Sequence, residues 1–331
     1  MSVPPYFMSR WVKQLLSANK TILTVSVELS ENEAERLLNA NANLVRLNPV
    51  AFLSEVECDV LCIDERFLEK VVEKFGLKPI IEKLCDVVKV LPRTLPYLTL
   101  RFEHCSPKDV AYHLFDVIVP DVPGVTLTPS GQAFACHRSR MDLLLVLSLL
   151  SERVLVMDRE YGALKYRYIH LRPMVSIFDV EWRLFYIDNR LVAVTQYYTN
   201  VPHKLGKYVY SVNNEEVEDI ISGVIKSAEE ARKMLGDVLQ ELRNYVIDVA
   251  ALSVPGKIEH EGRAQYIKST SYPIVDVNPL ILETREEMFA AGTYTGLFTL
   301  SELKKLAEED RDHVVVRYVA GGGVRELRVR A

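Results

Sequence analysis

An α+β fold is what this sequence predicts, and three observations carry the prediction. Val217, Ile220, Ile221, Val224, Ile225, Ala228, Ala231, Leu235, Val238 and Leu242 form one apolar stripe at helical spacing, after an acidic start (Glu215, Glu216, Glu218, Asp219) that suits the helix dipole. Strand-like alternation occurs elsewhere, as where Leu23, Val25, Val27 and Leu29 interleave with Thr24, Ser26 and Glu28. Strands and helices then mix without a strict βαβ rhythm, which favours α+β layers over a doubly wound parallel sheet. With 331 residues, 49% of them hydrophobic, the chain can build a substantial core as one large domain or two intimate ones.

The elements follow in order. Tyr6, Phe7 and Trp11 anchor the opening segment, residues 4–13, onto the domain. Ser30 with Glu33 makes a capping box for a helix running to about Asn39. Phe67, Leu68, Val71, Val72 and Phe75 mark the next helix, closed by Gly76, and another covers residues 79–88. A strand over 97–102 leads to Ser106 and Pro107, the cap and first position of a further helix. Residues 118–140 are rich in Pro, Gly, Thr and Ser and read as loops or short strands, followed by a helix over 141–150. Residues 171–177 and 180–186 are extended, and Asp188-Asn189 turns the latter into a strand over 191–197. After the long helix come strands over 245–250 and up to Asp276, and a last hairpin, 314–319 with 324–329, turns at three glycines. No helix follows those glycines to present amides to a phosphate, so they read as a turn.

Composition excludes several classes. A net charge of -5 gives no basic surface for nucleic acid. The longest apolar run, 141–150, contains Asp142 and Ser148 and falls short of the roughly 20 residues that span a bilayer. Arg10 and Lys13 break any signal-peptide core, so the expectation is a soluble cytoplasmic protein. The five cysteines are scattered and read as ordinary core thiols, and no histidine has an HxxxH or HExxH partner. There is no GxxxxGK[ST], kinase loop set, GxSxG elbow or credible catalytic triad in the sequence order, and no catalytic residue is assigned.

Asp248, Asp276 and Asn278 are the candidate metal ligands. They are oxygen donors near the ends of two successive strands, and antiparallel pairing would bring them within reach of one ion. Mg²⁺ takes octahedral oxygen coordination from one or two carboxylates, waters and phosphate oxygens. Alone, Asp276 and Asn278 could equally turn the chain before Pro279. Arg101, Lys108, Arg172 and Arg183 are the cations suited to phosphates, with Glu181 on the same strand face as Arg183. Taken singly, Glu181 with Arg183 also fits a cross-strand salt bridge on an exposed face.

With these residues assembled, the sequence resembles the cell-division-cycle-123 family. The resemblance runs through Met8-Ser9-Arg10-Trp11, Leu100-Arg101-Phe102, Ser106-Pro107-Lys108-Asp109 and Arg140-Met141-Asp142-Leu143. It continues in Glu181-Trp182-Arg183-Leu184-Phe185, Tyr245-Val246-Ile247-Asp248-Val249, Val275-Asp276-Val277-Asn278-Pro279 and Leu297-Phe298-Thr299-Leu300-Ser301-Glu302-Leu303. It implies an ATP-grasp-like fold of two subdomains with mainly antiparallel sheets and flanking helices, set here at 1–165 and 166–331. It also implies ATP and Mg²⁺ between the subdomains, with Asp248, Asp276 and Asn278 at the metal and Arg101 and Arg172 near the nucleotide. The chain departs from the family at Arg101, where Lys is usual, at Pro173, where Lys is common, and at Tyr197, where Arg is usual.

The function so implied is a nucleotide-dependent assembly chaperone binding the gamma subunit of translation initiation factor two, with no membrane and no direct nucleic-acid contact. The alternative is an ATP-dependent ligase or phosphotransferase acting on a small molecule or RNA end from the same pocket.

Overall fold

A computed structural model describes residues 3–46, 65–91, 98–103, 126–127, 133–134, 138–149, 161–173, 180–197, 211–212, 217–252, 256–260, 263–266, 271–282, 295–309, 312–320 and 323–330. The chain divides into two compact units: residues 1–22 with 175–331, and residues 23–174. The sequence boundary at 165/166 therefore becomes 174/175, and the first 22 residues join the C-terminal unit. Their reason for doing so is apolar. Helix α1 (Met8–Ser17) buries Met8, Trp11, Val12 and Leu15 in that unit's core, as expected of an anchoring segment.

The unit 23–174 begins with strand β1 (Val25–Glu28) and helix α2 (Glu31–Arg46). The Ser30 capping box forms: Ser30 N donates to Glu33 Oε2 over 2.7 Å, and Glu33 N donates to Ser30 Oγ over 3.3 Å. Lys83 lies 2.6 Å from the same carboxylate. Helices α3 (Glu65–Phe75) and α4 (Lys78–Val90) follow, with Gly76 between them at φ +61°, a left-handed conformation that favours glycine. Strand β2 (Leu98–Phe102), the short pair β3 (Thr126–Leu127) and β4 (Ala133–Phe134), helix α5 (Arg138–Leu149), a 3₁₀ turn over 162–166 and strand β5 (Tyr168–Pro173) complete the unit. The helix expected after Ser106 and the cysteines at 58, 62, 105 and 136 lie outside the described residues, while Cys85 is half-buried.

Strand β5 is central in an antiparallel sheet ordered β1-β5-β2. Alternation sorts its side chains by chemistry. Val27, Ile169, Leu171, Leu100 and Phe102 are buried on one face, and α4 and α5 lie against β1 and β2. The opposite face is polar throughout, with Thr24, Ser26 and Glu28 on and beside β1, Tyr168, His170 and Arg172 on β5, and Thr99, Arg101 and Glu103 on and beside β2.

In the larger unit, strands β6 (Val180–Ile187) and β7 (Arg190–Gln196) form the expected hairpin, and both turn residues, Asp188 and Asn189, have positive φ. Strand β8 (Ser211–Val212) precedes helix α6 (Val217–Met234) and the short helix α7 (Gly236–Gln240). The apolar stripe thus continues past a break at Leu235, one residue before the poor helix former Gly236. Strands β9 (Tyr245–Ala251), β10 (Gly256–His260), β11 (Arg263–Tyr266) and β12 (Ile274–Pro279), helix α8 (Leu300–Glu309) and the hairpin β13 (His313–Ala320) and β14 (Gly323–Arg330) follow. A small sheet runs β11-β10-β8, and the principal sheet is six-stranded, β12-β9-β6-β7-β13-β14, antiparallel except for β7 with β13.

This sheet too has unlike faces. Trp182, Leu184, Tyr186, Ile247, Val249 and Val316 join the core that includes residues of α1 and α6. On the other face Phe185, Val246, Ala193, Val315 and Leu280 pack with Phe298 and Leu303, the latter from α8. That apolar patch occupies only one end of the face, and the other end carries charge.

Candidate functional site

The charged end is built by strand register. Arg183 on β6 stands opposite Asp248 on β9, and Asp248 opposite Asp276 on β12. One row across three strands thus reads Arg-Asp-Asp. Asn278, two residues on from Asp276, shares its face, and Glu181 shares that of Arg183. The antiparallel pairing expected of the strands bearing Asp248 and Asp276 is present, although β10 and β11 intervene in sequence.

Asp248 and Arg183 form the tightest contact in the row. Arg183 Nε donates to Asp248 Oδ1 and Nη2 to Oδ2, each over 2.7 Å, with the side chains only 3% and 2% exposed. The parallel bonds match the guanidinium fork to the carboxylate. Burial pulls the Arg183 pKa down, but Asp248, Tyr197 and Glu181 more than reverse this, and it rises above the ordinary arginine value. The Tyr197 ring lies 4.5 Å from Arg183 Cζ, a cation–π contact. Arg183 is therefore buried and not on an exposed face, and it donates two bonds to the buried carboxylate opposite it.

Strand β12 is held in place from several sides. Thr21 Oγ1 donates to Ile274 O over 2.6 Å, Ile274 N to Lys20 O over 2.8 Å, and Ala250 N to Pro273 O over 3.0 Å. Lys20 is itself tied to Glu230 of α6. Gly223 of α6 leaves room for the Tyr272 ring, which a Cβ there would meet at 2.2 Å, and Ser227 Oγ donates to Tyr272 O over 2.5 Å. Between Ile274 and Asp276 the register shifts by a bulge, and Asp276 Oδ1 accepts from Val277 N over 3.0 Å. Asp276 is half-buried, whereas Asn278 is buried.

The donor set fits a hard cation: two carboxylates and an amide oxygen, with no sulfur or imidazole. A carboxylate has about four lone-pair sites, so the two that Asp248 gives to Arg183 leave acceptor capacity. No group of three or more His, Cys, Asp and Glu side chains is gathered as for a metal ion among the described residues.

The remaining expected residues divide between the polar face of the smaller unit and the undescribed part of the chain. Arg101 and Arg172 are both buried on the β1-β5-β2 sheet, and Lys108 lies outside the described residues. Arg172 Nε donates to Thr24 Oγ1 over 3.0 Å. His170, cross-strand from Arg101, is fully buried, and its Nε2 lies 3.2 Å from Glu103 Oε2. Burial pushes the imidazole pKa below its ordinary value; the Glu103 contact opposes that, and the Arg101 and Arg172 charges reinforce it. His170 and Glu103 were not among the expected residues, although the alternation Tyr168-Ile169-His170-Leu171-Arg172 places His170 on the face of Arg172.

No family model and no curated protein matches the chain. Among solved structures it is similar to Cdc123 from Schizosaccharomyces pombe, at 15% identity and a TM-score of 0.49, covering 95% of both chains. It is also similar to a C-terminally truncated form of Cdc123 from Schizosaccharomyces pombe, at 14% identity and a TM-score of 0.46, covering 96% of this chain and 99% of that one.

Proposed function

We propose that this chain binds a Mg²⁺-nucleotide, ATP by its sequence resemblance, and acts as a cytoplasmic assembly chaperone for the gamma subunit of translation initiation factor two. The observation that carries the reading is the row in which Asp276 stands opposite Asp248, with Asn278 on the same face. Asp276 and Asn278 would offer oxygens directly, and Asp248 through the lone pairs that Arg183 leaves. The bound cation would neutralise phosphate charge. The two hydrogen bonds from Arg183 fix Asp248 in direction, so the row is organised before any ligand arrives. The smaller unit by itself carries Arg101 and Arg172, whose guanidinium groups are of the kind that suits phosphate oxygens. The ordered resemblance, from Met8-Ser9-Arg10-Trp11 to Leu297-Phe298-Thr299, supports an ATP-grasp-like fold and the chaperone role.

Calorimetry checks the first half: ATP should bind with Mg²⁺ and bind much more weakly in a chelator. A pull-down with ATP present should recover the gamma subunit, and recovery of none of it would remove the chaperone role. ADP release that accelerates with a small-molecule or RNA-end acceptor would move the function to ligase or phosphotransferase.

A further inference from the structure

On the polar face of the smaller unit, a line of hydrogen bonds runs from a buried carboxylate to an exposed hydroxyl. Glu103 Oε2 lies 3.2 Å from Nε2 of His170, and Nδ1 of the same ring lies 2.9 Å from Ser26 Oγ. His170 is fully buried and Glu103 2% exposed, while Ser26 is exposed. A carboxylate can only accept, so Nε2 of the neutral ring carries the proton. Nδ1 then presents a lone pair, and the Ser26 hydroxyl donates to it. A nucleophile, its base and a group that orients the base stand in sequence, the arrangement that activates a serine. Among the described strands β1 is an outer strand of its sheet, so the hydroxyl lies on the outer strand of that order.

The neighbours of this relay indicate the electrophile. Val25 pairs with Leu171 and Ser26 with His170, so Arg172 is the diagonal neighbour of Ser26, and Arg101 stands beyond His170 in the same row. Guanidinium forks suit the several oxygens of a phosphoryl group better than the single oxygen of a neutral acyl group. We propose that Ser26 is a nucleophile toward phosphoryl groups, with His170 as its base and Glu103 as the positioning residue, and that its donor is a nucleoside triphosphate. The choice of donor rests on the nucleotide reading above; the nucleophile does not. In the step, Oγ bonds to the terminal phosphorus as the bond to the bridging oxygen breaks. The electron pair leaves with the nucleoside diphosphate, and the hydroxyl proton passes to Nδ1, leaving an imidazolium beside Glu103.

An organophosphorus probe tests the nucleophile without any nucleotide. A fluorophosphonate followed by peptide mass spectrometry should label Ser26 about a hundredfold faster than other exposed serines, given what a positioned base contributes. Labelling should disappear in Ser26→Ala, drop about tenfold or more in Glu103→Gln, and slow in acid for the unaltered protein as the imidazole takes up a proton. The acid arm needs no buried substitution, so misfolding of a variant cannot imitate it. Labelling of Ser26 at the rate of other serines, or independent of pH, overturns the proposal, because a merely structural relay predicts that result. With Mg²⁺-ATP, phosphate should appear on Ser26. If calorimetry shows ATP bound, the probe labels Ser26 and no phosphoserine forms, the donor assignment is overturned. If ATP does not bind while the probe labels Ser26, the nucleotide reading fails and the nucleophile stands.

Discussion

On the six-stranded sheet the buried Arg183 meets a carboxylate through two parallel bonds of 2.7 Å, whereas on the three-stranded sheet Arg172 donates to a threonine hydroxyl and Glu103 goes to a histidine. Both sheets carry charged residues on one face, at one end only of that face in the six-stranded sheet, yet they settle that charge differently. In the larger unit, the cation and Asp248 cancel within the row, and Asp276 and Glu181 leave its surroundings acidic. In the smaller unit, the buried Arg101 and Arg172 share the face with the buried Glu103, the buried His170 and the exposed Glu28. Carboxylate oxygens suit a divalent cation, and guanidinium groups suit phosphate oxygens.

Breaking the paired face should cost most. Asp248→Ala strands a buried guanidinium and should destabilise by about 3–5 kcal/mol in urea unfolding. The double change Arg183→Met with Asp248→Leu should recover most of that loss, since a well-packed apolar pair can replace a buried ion pair at little cost. If the double variant is no better than the single, the cost lies in packing and not in charge.

The support of β12 should matter less. Gly223→Ala gains about 1 kcal/mol of helix propensity but drives a Cβ into Tyr272, a crowding that costs about 1–3 kcal/mol. The net should be a small destabilisation, accompanied by a shift of Tyr272 and β12. An unchanged or raised stability would show that β12 does not depend on that contact.

A smaller effect is expected at the start of α8. Thr299 N donates to Glu302 Oε2 over 2.7 Å, and Glu302 N to Thr299 Oγ1 over 3.2 Å, while Arg317 Nη1 donates to Glu302 Oε1 over 2.8 Å. Thr299→Ala should cost about 1 kcal/mol. The Thr299 amide, first, and Arg317 hold the Glu302 carboxyl down at about 2. A depressed folded pKa means that this stabilisation is complete above the unfolded value of about 4.5 and is lost as the pH falls toward 2.

His170 gives the smaller unit a different pH signature. Its folded pKa is lowered, so below about pH 6.5 the unfolded chain binds a proton that the folded chain refuses. Stability should therefore decline as the pH drops from 6.5, and His170→Gln should flatten that part of the curve. The same decline in the variant would assign it to another group.

What could be read from the sequence was local. The alternation around Ser26, the Ser30–Glu33 box, the Asp188-Asn189 turn and the facing of Asp248 and Asp276 follow from spacing and neighbouring strands. The Arg183–Asp248 pair was hidden because it depends on β6 lying beside β9, across 65 residues of chain. The polar face of the smaller unit was hidden likewise, since Ser26 and His170 are 144 residues apart and become neighbours only when β5 inserts between β1 and β2. Alternation assigned faces, but strand order chose partners, and no local pattern encodes strand order.

Calorimetry of Mg²⁺-ATP binding to Asp276→Ala is the most direct measurement. Asp276 lies in the acidic row but outside the Arg183–Asp248 ion pair, so unlike Asp248 it can be removed without stranding that buried guanidinium. The variant should unfold at nearly the wild-type denaturant concentration and lose Mg²⁺-dependent ATP binding by tenfold or more, about 1.4 kcal/mol at least. A stable variant that binds Mg²⁺-ATP as tightly as the wild type would contradict the assignment of this row to the metal.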